Sequence, residues 1–173
     1  LVGTDTTNET FEISTADKEV AVNSMNLTSV GAIDAGSSAA DAITTTESVN
    51  ADLTAADNAL TASGINFTNV NSADLSQGKL TGSDTDDETF EISTAANAVT
   101  VNSMSLTSVG AIDAGSSTGD EITTTELVNA DLTAADNALT ASGINFTNVN
   151  SADLSQGQLT GTDTKDETFE IST

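Results

Sequence analysis

Carboxylates are the side chains of this sequence with the most chemistry to offer, and the densest group is GSDTDDE, Gly82 to Glu88. In an extended segment side chains alternate between faces, so Asp84, Asp86 and Glu88 share one face and present three oxygen donors of the kind Ca2+ takes. The stretch recurs as GTDTTNE, which keeps Asp5 and Glu9, and as GTDTKDE, which keeps Asp163 and Glu167. The middle carboxylate becomes Thr7 or Lys165 in those copies, and an ammonium group among calcium ligands is unfavourable. Two readings stand: a calcium site whose full ligand set occurs once, or a solvated acidic turn. Asp52, Asp57 and Asp74 recur unchanged as Asp131, Asp136 and Asp153. Asp at such positions more often makes hydrogen bonds within a turn than binds metal.

What is missing narrows the chemistry further. The chain has 27 acidic residues against three lysines (Lys18, Lys79, Lys165), no histidine and no cysteine, for a net charge of −24. Without Cys or His there is no thiolate nucleophile, zinc finger, haem ligand or imidazole base. Three lysines give no phosphate clamp, so nucleic acid is not an expected partner. Carboxylate pairs exist, but with five phenylalanines as the only aromatics no pocket for acid/base catalysis is suggested, and the chain reads as non-enzymatic. No apolar run approaches the roughly 18 residues of a membrane span.

The elements that must position these groups come from a repeat. TFEIST begins at Thr10, Thr89 and Thr168, and residues 1–79 laid over 80–158 match at 65 positions without a gap. The units are therefore 1–79 and 80–158, with 159–173 starting a third. Self-similarity at a long period marks architectures in which neighbouring units supply the core that one unit lacks. The register runs through both ends, so a longer parent chain with more copies is expected. Leu60, Ile65, Val70, Leu75, Leu80, Thr85 and Phe90 lie five apart, a spacing that fits neither an isolated helix nor a flat strand. It fits a coil whose short faces each send one side chain inward. Four such faces need about 20 residues, so each 79-residue unit holds about four coils and adds roughly 19 Å. The fold class expected is all-β: an elongated β-solenoid, with Phe11, Phe90 and Phe169 sealing the unit junctions.

A competing reading is local. In Thr123 to Gly143, Val128, Leu132, Ala135 and Leu139 follow a helical spacing, Thr123 to Glu126 resembles a capping box and Gly143 stands where a helix would end. That reading gives tandem α+β modules with a helix near 126–142; an Ig-like sandwich is a related alternative.

LTASGINFTNVNSADLSQGKLTG, Leu60 to Gly82, resembles the repeats of filamentous haemagglutinin-type bacterial surface adhesins over about a third of each unit. The resemblance implies a right-handed β-solenoid in a stiff surface fibre. NADLT (Asn50 to Thr54) and SADLS (Ser72 to Ser76) are similar to the phrase of pentapeptide-repeat proteins, some of which mimic DNA with an acidic surface.

The expectation is thus a non-enzymatic stalk segment of a large secreted or surface-anchored microbial protein, extracellular in location. The alternatives are a self-assembling extracellular filament or sheath and an acidic, DNA-mimicking binding module. Neighbouring repeats are the first expected partners, and chains can also associate sideways. Stacking identical coils sets like charges above each other unless they are neutralised, which makes divalent cations, Ca2+ first among them, expected partners too. Thr44 to Thr46 and Thr123 to Thr125 are candidates for stacked threonine ladders, a surface compatible with ice binding. Asn8, Asn26, Asn66 and Asn145 match the glycosylation acceptor pattern, which chance alone produces in a chain this rich in Asn, Ser and Thr.

Overall fold

The computed structural model describes residues 1–167. It contains twenty short strands and, among the described residues, no helix. The first unit supplies β1 (Thr10–Ile13), β2 (Val20–Val22), β3 (Met25–Leu27), β4 (Ala32–Asp34), β5 (Ala42–Thr44), β6 (Ala51–Leu53), β7 (Leu60–Ala62), β8 (Ile65–Thr68), β9 (Ser72–Asp74) and β10 (Lys79–Thr81). The second supplies β11 (Thr89–Ile92), β12 (Val99–Val101), β13 (Met104–Thr107), β14 (Ala111–Asp113), β15 (Glu121–Thr123), β16 (Ala130–Leu132), β17 (Leu139–Ala141), β18 (Ile144–Thr147) and β19 (Ser151–Ala152). β20 (Leu159–Thr160) opens the third copy.

These strands form a β-solenoid of about five turns. Its wall consists of two ten-stranded sheets, in the orders β3-β2-β1-β5-β9-β13-β12-β11-β15-β19 and β4-β8-β7-β6-β10-β14-β18-β17-β16-β20. The chain crosses from one sheet to the other and returns to lie parallel on its own earlier course. Thr10 faces Ala42, Ala42 faces Ser72 and Ser72 faces Ser105, steps of 32, 30 and 33 residues. The stacked neighbours are therefore about half as far apart again as the 20-residue coil predicted from the five-residue spacing.

The difference lies in hairpins. Two meanders per unit double the chain back antiparallel inside a sheet, β1-β2-β3 in one and β6-β7-β8 in the other. β7 and β8 are joined by Ser63 and Gly64, both with positive φ (47° and 70°), the two-residue turn whose twist matches that of the strands it joins. Asn23-Ser24, Asn102-Ser103 and Ser142-Gly143 do the same elsewhere. The meanders lengthen the unit along the stack. β1 and its equivalent β11 stand five strand positions apart, as do β4 and β14, which at about 4.8 Å per strand makes a unit rise of roughly 24 Å.

Thr123 to Gly143, the helix candidate, runs from the last residue of β15 through β16 and β17 and their turns. Its heptad-like residues face inward because β16 and β17 form a hairpin, not because they share a helix face; Ala135 lies exposed in a turn.

A single apolar cluster runs through both units. Leu60, Ile65, Val70, Leu75, Leu80 and Phe90 are fully buried, so the five-residue register does mark the core. Thr85, in the same register, is exposed. Phe11 packs edge-on against Phe67 across the two sheets, ring centroids 6.1 Å apart, and Phe90 packs the same way on Phe146 at 6.3 Å. Each pair belongs to one unit and sits at its middle. The unit junction is instead made by β9 on β13 and β10 on β14, so Phe11 and Phe90 do not seal it. Phe169 lies outside the described residues.

Candidate functional site

The feature that sets this stack apart is a column of polar residues at one corner, with its four carboxyl groups buried. Glu9, Asp41 and Asn71 each stand one residue before a strand of the same sheet (β1, β5, β9), one on each successive parallel rung. Glu88, Asp120 and Asn150 repeat the arrangement before β11, β15 and β19. Backbone amides link the column from rung to rung. Glu88 N–H donates to Asp120 Oδ1 at 2.9 Å and Asp120 N–H donates to Asn150 Oδ1 at 3.2 Å. In the first unit Glu9 N–H donates to Asp41 Oδ1 at 2.8 Å and Asp41 N–H to Asn71 Oδ1 at 3.0 Å. The loop before the strand folds back over the glutamate. Ser83 N–H donates to Glu88 Oε1 at 3.0 Å, and Glu9 Oε1 accepts from the backbone and hydroxyl of Thr4.

Only half of each carboxyl group is satisfied in this way. Glu9, Asp41, Glu88 and Asp120 are all at least 95% buried, and the second oxygen of each has no protein hydrogen-bond partner. Leaving such an atom ionised and dry is costly, and at Asp41 and Glu88 this cost favours the protonated form. Burial, and then the charge and hydrogen bonding of Asp120 with a smaller push from Asp86, raises Glu88 to about 7 against the opposing Ser83 amide. Asp41 is likewise raised, first by burial and then by Glu9, although the Glu9 amide pulls the other way.

The third copy has a different environment. Glu167 occupies the same loop position and accepts from Thr162 N–H (2.8 Å) and Oγ1 (2.7 Å), which hold it below the ordinary value. No described aspartate stacks on Glu167. Glu167 is only partly buried, whereas burial is the first cause of the rise at Glu88. Both carboxyls of each pair are withdrawn from solvent inside the stack.

The three predicted calcium ligands are not used together. Glu88 points into the corner column. Asp84 Oδ1 accepts Ser116 N–H of the adjoining rung at 3.0 Å, and Asp5 does the same for Ser37. Asp86 Oδ2 accepts the hydroxyls of Ser83 and Thr85. Among the described residues no three carboxylates converge as a metal cluster. Asp163 is exposed, and Lys165, the residue at odds with a calcium site, reaches Asp136 at 2.5 Å. Asp74 and Asp153 serve their own turns, accepting from Ser76 and Ser155 N–H.

Sequence reasoning reached Glu9 and Glu88 but missed Asp41 and Asp120. The available signal was an aspartate kept in both units, 32 residues after a kept glutamate and two before a buried isoleucine. Reading that signal requires the rung length, which the 20-residue coil obscured.

The sheet faces treat charge differently. No acid lies against another acid in the described strand registers. Glu12 faces Thr44 and Asp74 faces Thr107; Asp113 lies between Thr81 and Thr147. Threonines therefore separate acids rather than forming ladders of their own. The expected superposition of like charges does not arise on these faces. Identical residues recur roughly 24 Å apart, well beyond the ~8 Å screening length of physiological salt. Stacked carboxyls occur where water is excluded, at Glu9–Asp41 and Glu88–Asp120.

No known family, curated protein or solved structure matches the chain.

Proposed function

We propose that this chain is a non-enzymatic structural segment, part of an elongated fibre or adhesin stalk that is secreted by, or anchored on, a microbial cell. The observation that carries the reading is the unit junction. β9 on β13 and β10 on β14 use the same parallel pairing and the same apolar column that hold rungs together inside a unit. A further copy of the unit adds length without a new kind of contact, which is what a stalk requires. Outward acids spaced by threonines keep such a rod hydrated and soluble in an extracellular setting. Small-angle scattering from chains of two, four and six units tests this. Each added unit should lengthen one continuous rod by roughly 24 Å; flexibly linked beads would sink the proposal.

Calcium enters this reading as a counter-ion of the exposed loop carrying Asp84 and Asp86, not as a strict three-ligand site. Millimolar calcium is expected to raise the melting temperature by a few degrees over chelator at equal ionic strength, by partial relief of self-repulsion. An unchanged melting temperature would remove calcium from the account.

A further inference from the structure

We propose that the outer face of the β11-β12-β13 meander docks a lysine- or arginine-rich polypeptide, whose cationic side chains enter a groove that carries Glu91 and Glu126. The proposal rests on charge and geometry inside the units, so it stands or falls separately from the stalk reading, which scattering tests.

The surface is charged densely enough to hold such a partner. Residues 80–158 contain twelve acidic side chains and no lysine. Glu88 and Asp120 are buried, and the other ten reach the surface. Over a unit rise of roughly 24 Å this is about one charge per 2.4 Å, close to the ~1.7 Å of duplex DNA. Two like charges in water interact with the thermal energy RT at about 7 Å. A rod charged more densely than that gathers condensed counterions, and a polycation that displaces them gains the free energy of their release. The first unit has eleven acids, of which Glu9 and Asp41 are buried, and two lysines. It still averages about one net charge per 3.4 Å.

The groove supplies the place. Its volume is about 210 Å3, and its lining includes Glu91, Ser93, Thr100, Thr107, Thr125 and Glu126. The first unit repeats it at Glu12, Ser14, Thr28 and Thr46, with about 310 Å3. Glu91 is an exposed, outward residue of β11, opposite Thr100 on one side and Thr123 on the other. Glu126 Oε2 accepts from Thr94 N–H at 3.0 Å and from the Thr94 hydroxyl at 2.8 Å, and these bonds hold its carboxyl below the ordinary value. Glu126 is thereby kept ionised at neutral pH. Its equivalent Glu47 accepts from Thr15 in the same way. Among the described residues no lysine forms an ion pair with these glutamates; Lys79 is paired with Asp113 on the other sheet and Lys165 with Asp136. The surrounding hydroxyls accept as well as donate, so an entering ammonium or guanidinium group meets further oxygens beside the carboxylates. The groove recurs once per unit, about 24 Å apart, so a longer basic chain is held at several points.

The test titrates the 173-residue chain into a fluorescently labelled peptide of about eight lysines, following anisotropy from about 20 to 200 mM salt. Affinity should fall linearly on logarithmic axes with a slope of roughly −6, slightly shallower than the −0.9 per cationic charge of duplex DNA. Replacing Glu12, Glu47, Glu91 and Glu126 together by Gln empties both grooves of charge and should weaken binding about 10-fold or more at fixed salt. Replacing Asp52, Asp57, Asp131 and Asp136 together by Asn removes the same charge from exposed positions elsewhere and should change affinity by about twofold at most. Both variants should keep the circular dichroism of the original chain, since all eight side chains are exposed. Calcium is titrated in parallel. A peptide that fails to bind at the lowest salt would overturn the proposal. Equal weakening in the two variants would do the same, because net charge rather than the groove would then hold the peptide. Calcium binding at the four glutamates without peptide binding would also overturn it, since the occupant would be a metal ion.

Discussion

Glu88→Gln is expected to raise the stability of the protein at about pH 8 and to flatten its dependence on pH between about 5 and 8. The ordinary value of this carboxyl is 4.5 and the folded protein raises it to about 7. Below 4.5 the group is protonated folded or unfolded, and its stacking on Asp120 stabilises the fold in full. Between 4.5 and 7 the folded state binds more protons than the unfolded one, so stability falls as pH rises, and it is lost through the folded value. A shift of this size corresponds to about 3 kcal/mol above pH 7, or roughly 6 to 12 °C in melting temperature for a chain of this length. Glutamine keeps the shape of the protonated acid and donates its N–H to the free oxygen of Asp120 with no proton to lose. The groups facing Glu88 are Asp120 of the next rung and Asp86 of its own loop, both acidic, so neither offsets the cost. Carboxylates whose values are lowered, such as Asp34 by Asn69 and Glu126 by Thr94, act in the opposite sense and lose stability as pH falls through their range. The maximum should therefore lie in mild acid. Thermal melts of both proteins across this range decide the matter: equal slopes would show that the corner pair does not hold the proton.

The corner pair was only half legible in the sequence, for the same reason that the rung length was misjudged. The five-residue register correctly picked out Leu60, Ile65, Val70, Leu75 and Leu80 as core. Spacing alone does not distinguish a four-faced coil from a hairpin. In LTA-SG-INFT the inward residues are Leu60 and Ala62 on one strand and Ile65 and Phe67 on the next, so a two-residue turn between alternating strands also places Leu60 and Ile65 five apart. The Ser-Gly dipeptide between two alternating stretches was the hairpin signal. Read as the end of a helix, it also made Val128 to Leu139 look amphipathic. The polar column depended on knowing that Asp120 lies directly over Glu88, and that follows only once the meanders are counted.

The all-β solenoid was legible because it rests on features that do not depend on rung length. These are the repeat itself, the narrow set of inward Leu, Ile, Val and Phe residues, and turn residues that tolerate positive φ. Charge placement was less so. Composition predicts stacked like charges, yet Thr44, Thr81, Thr107 and Thr147 separate the acids of neighbouring strands. That interleaving is a property of register, which composition does not carry.

Gly78→Ala and Gly110→Ala should each destabilise the protein by about 3 kcal/mol or more, while Gly31→Ala should leave it unchanged. Overpacking a well-filled site costs about 1 to 3 kcal/mol when side chains can move aside. Here the obstacle is backbone. A Cβ on Gly78 would stand 1.8 Å from the carbonyl oxygen of Val49, and one on Gly110 would stand 2.4 Å from that of Gln77. The two glycines also touch, since Gly110 N–H donates to Gly78 O at 3.0 Å; Gly110→Ala forces the junction between units apart, and Gly78→Ala pushes its own strand off Val49 within the first unit. Moving the strands to make room would cost the β6–β10 ladder for Gly78→Ala, and for Gly110→Ala the β9–β13 and β10–β14 ladders, wetting Met104 and Leu80, both fully buried. Gly31 supplies the control, because it has the same neighbours in sequence as Gly110 and differs in having no rung beneath it. Urea denaturation of the three variants separates two accounts of the glycine. If close stacking of rungs is the reason, Gly110→Ala is damaging and Gly31→Ala is not. If the local turn requires glycine for its own conformation, both lose stability equally, and the junction is not the tight backbone contact described here.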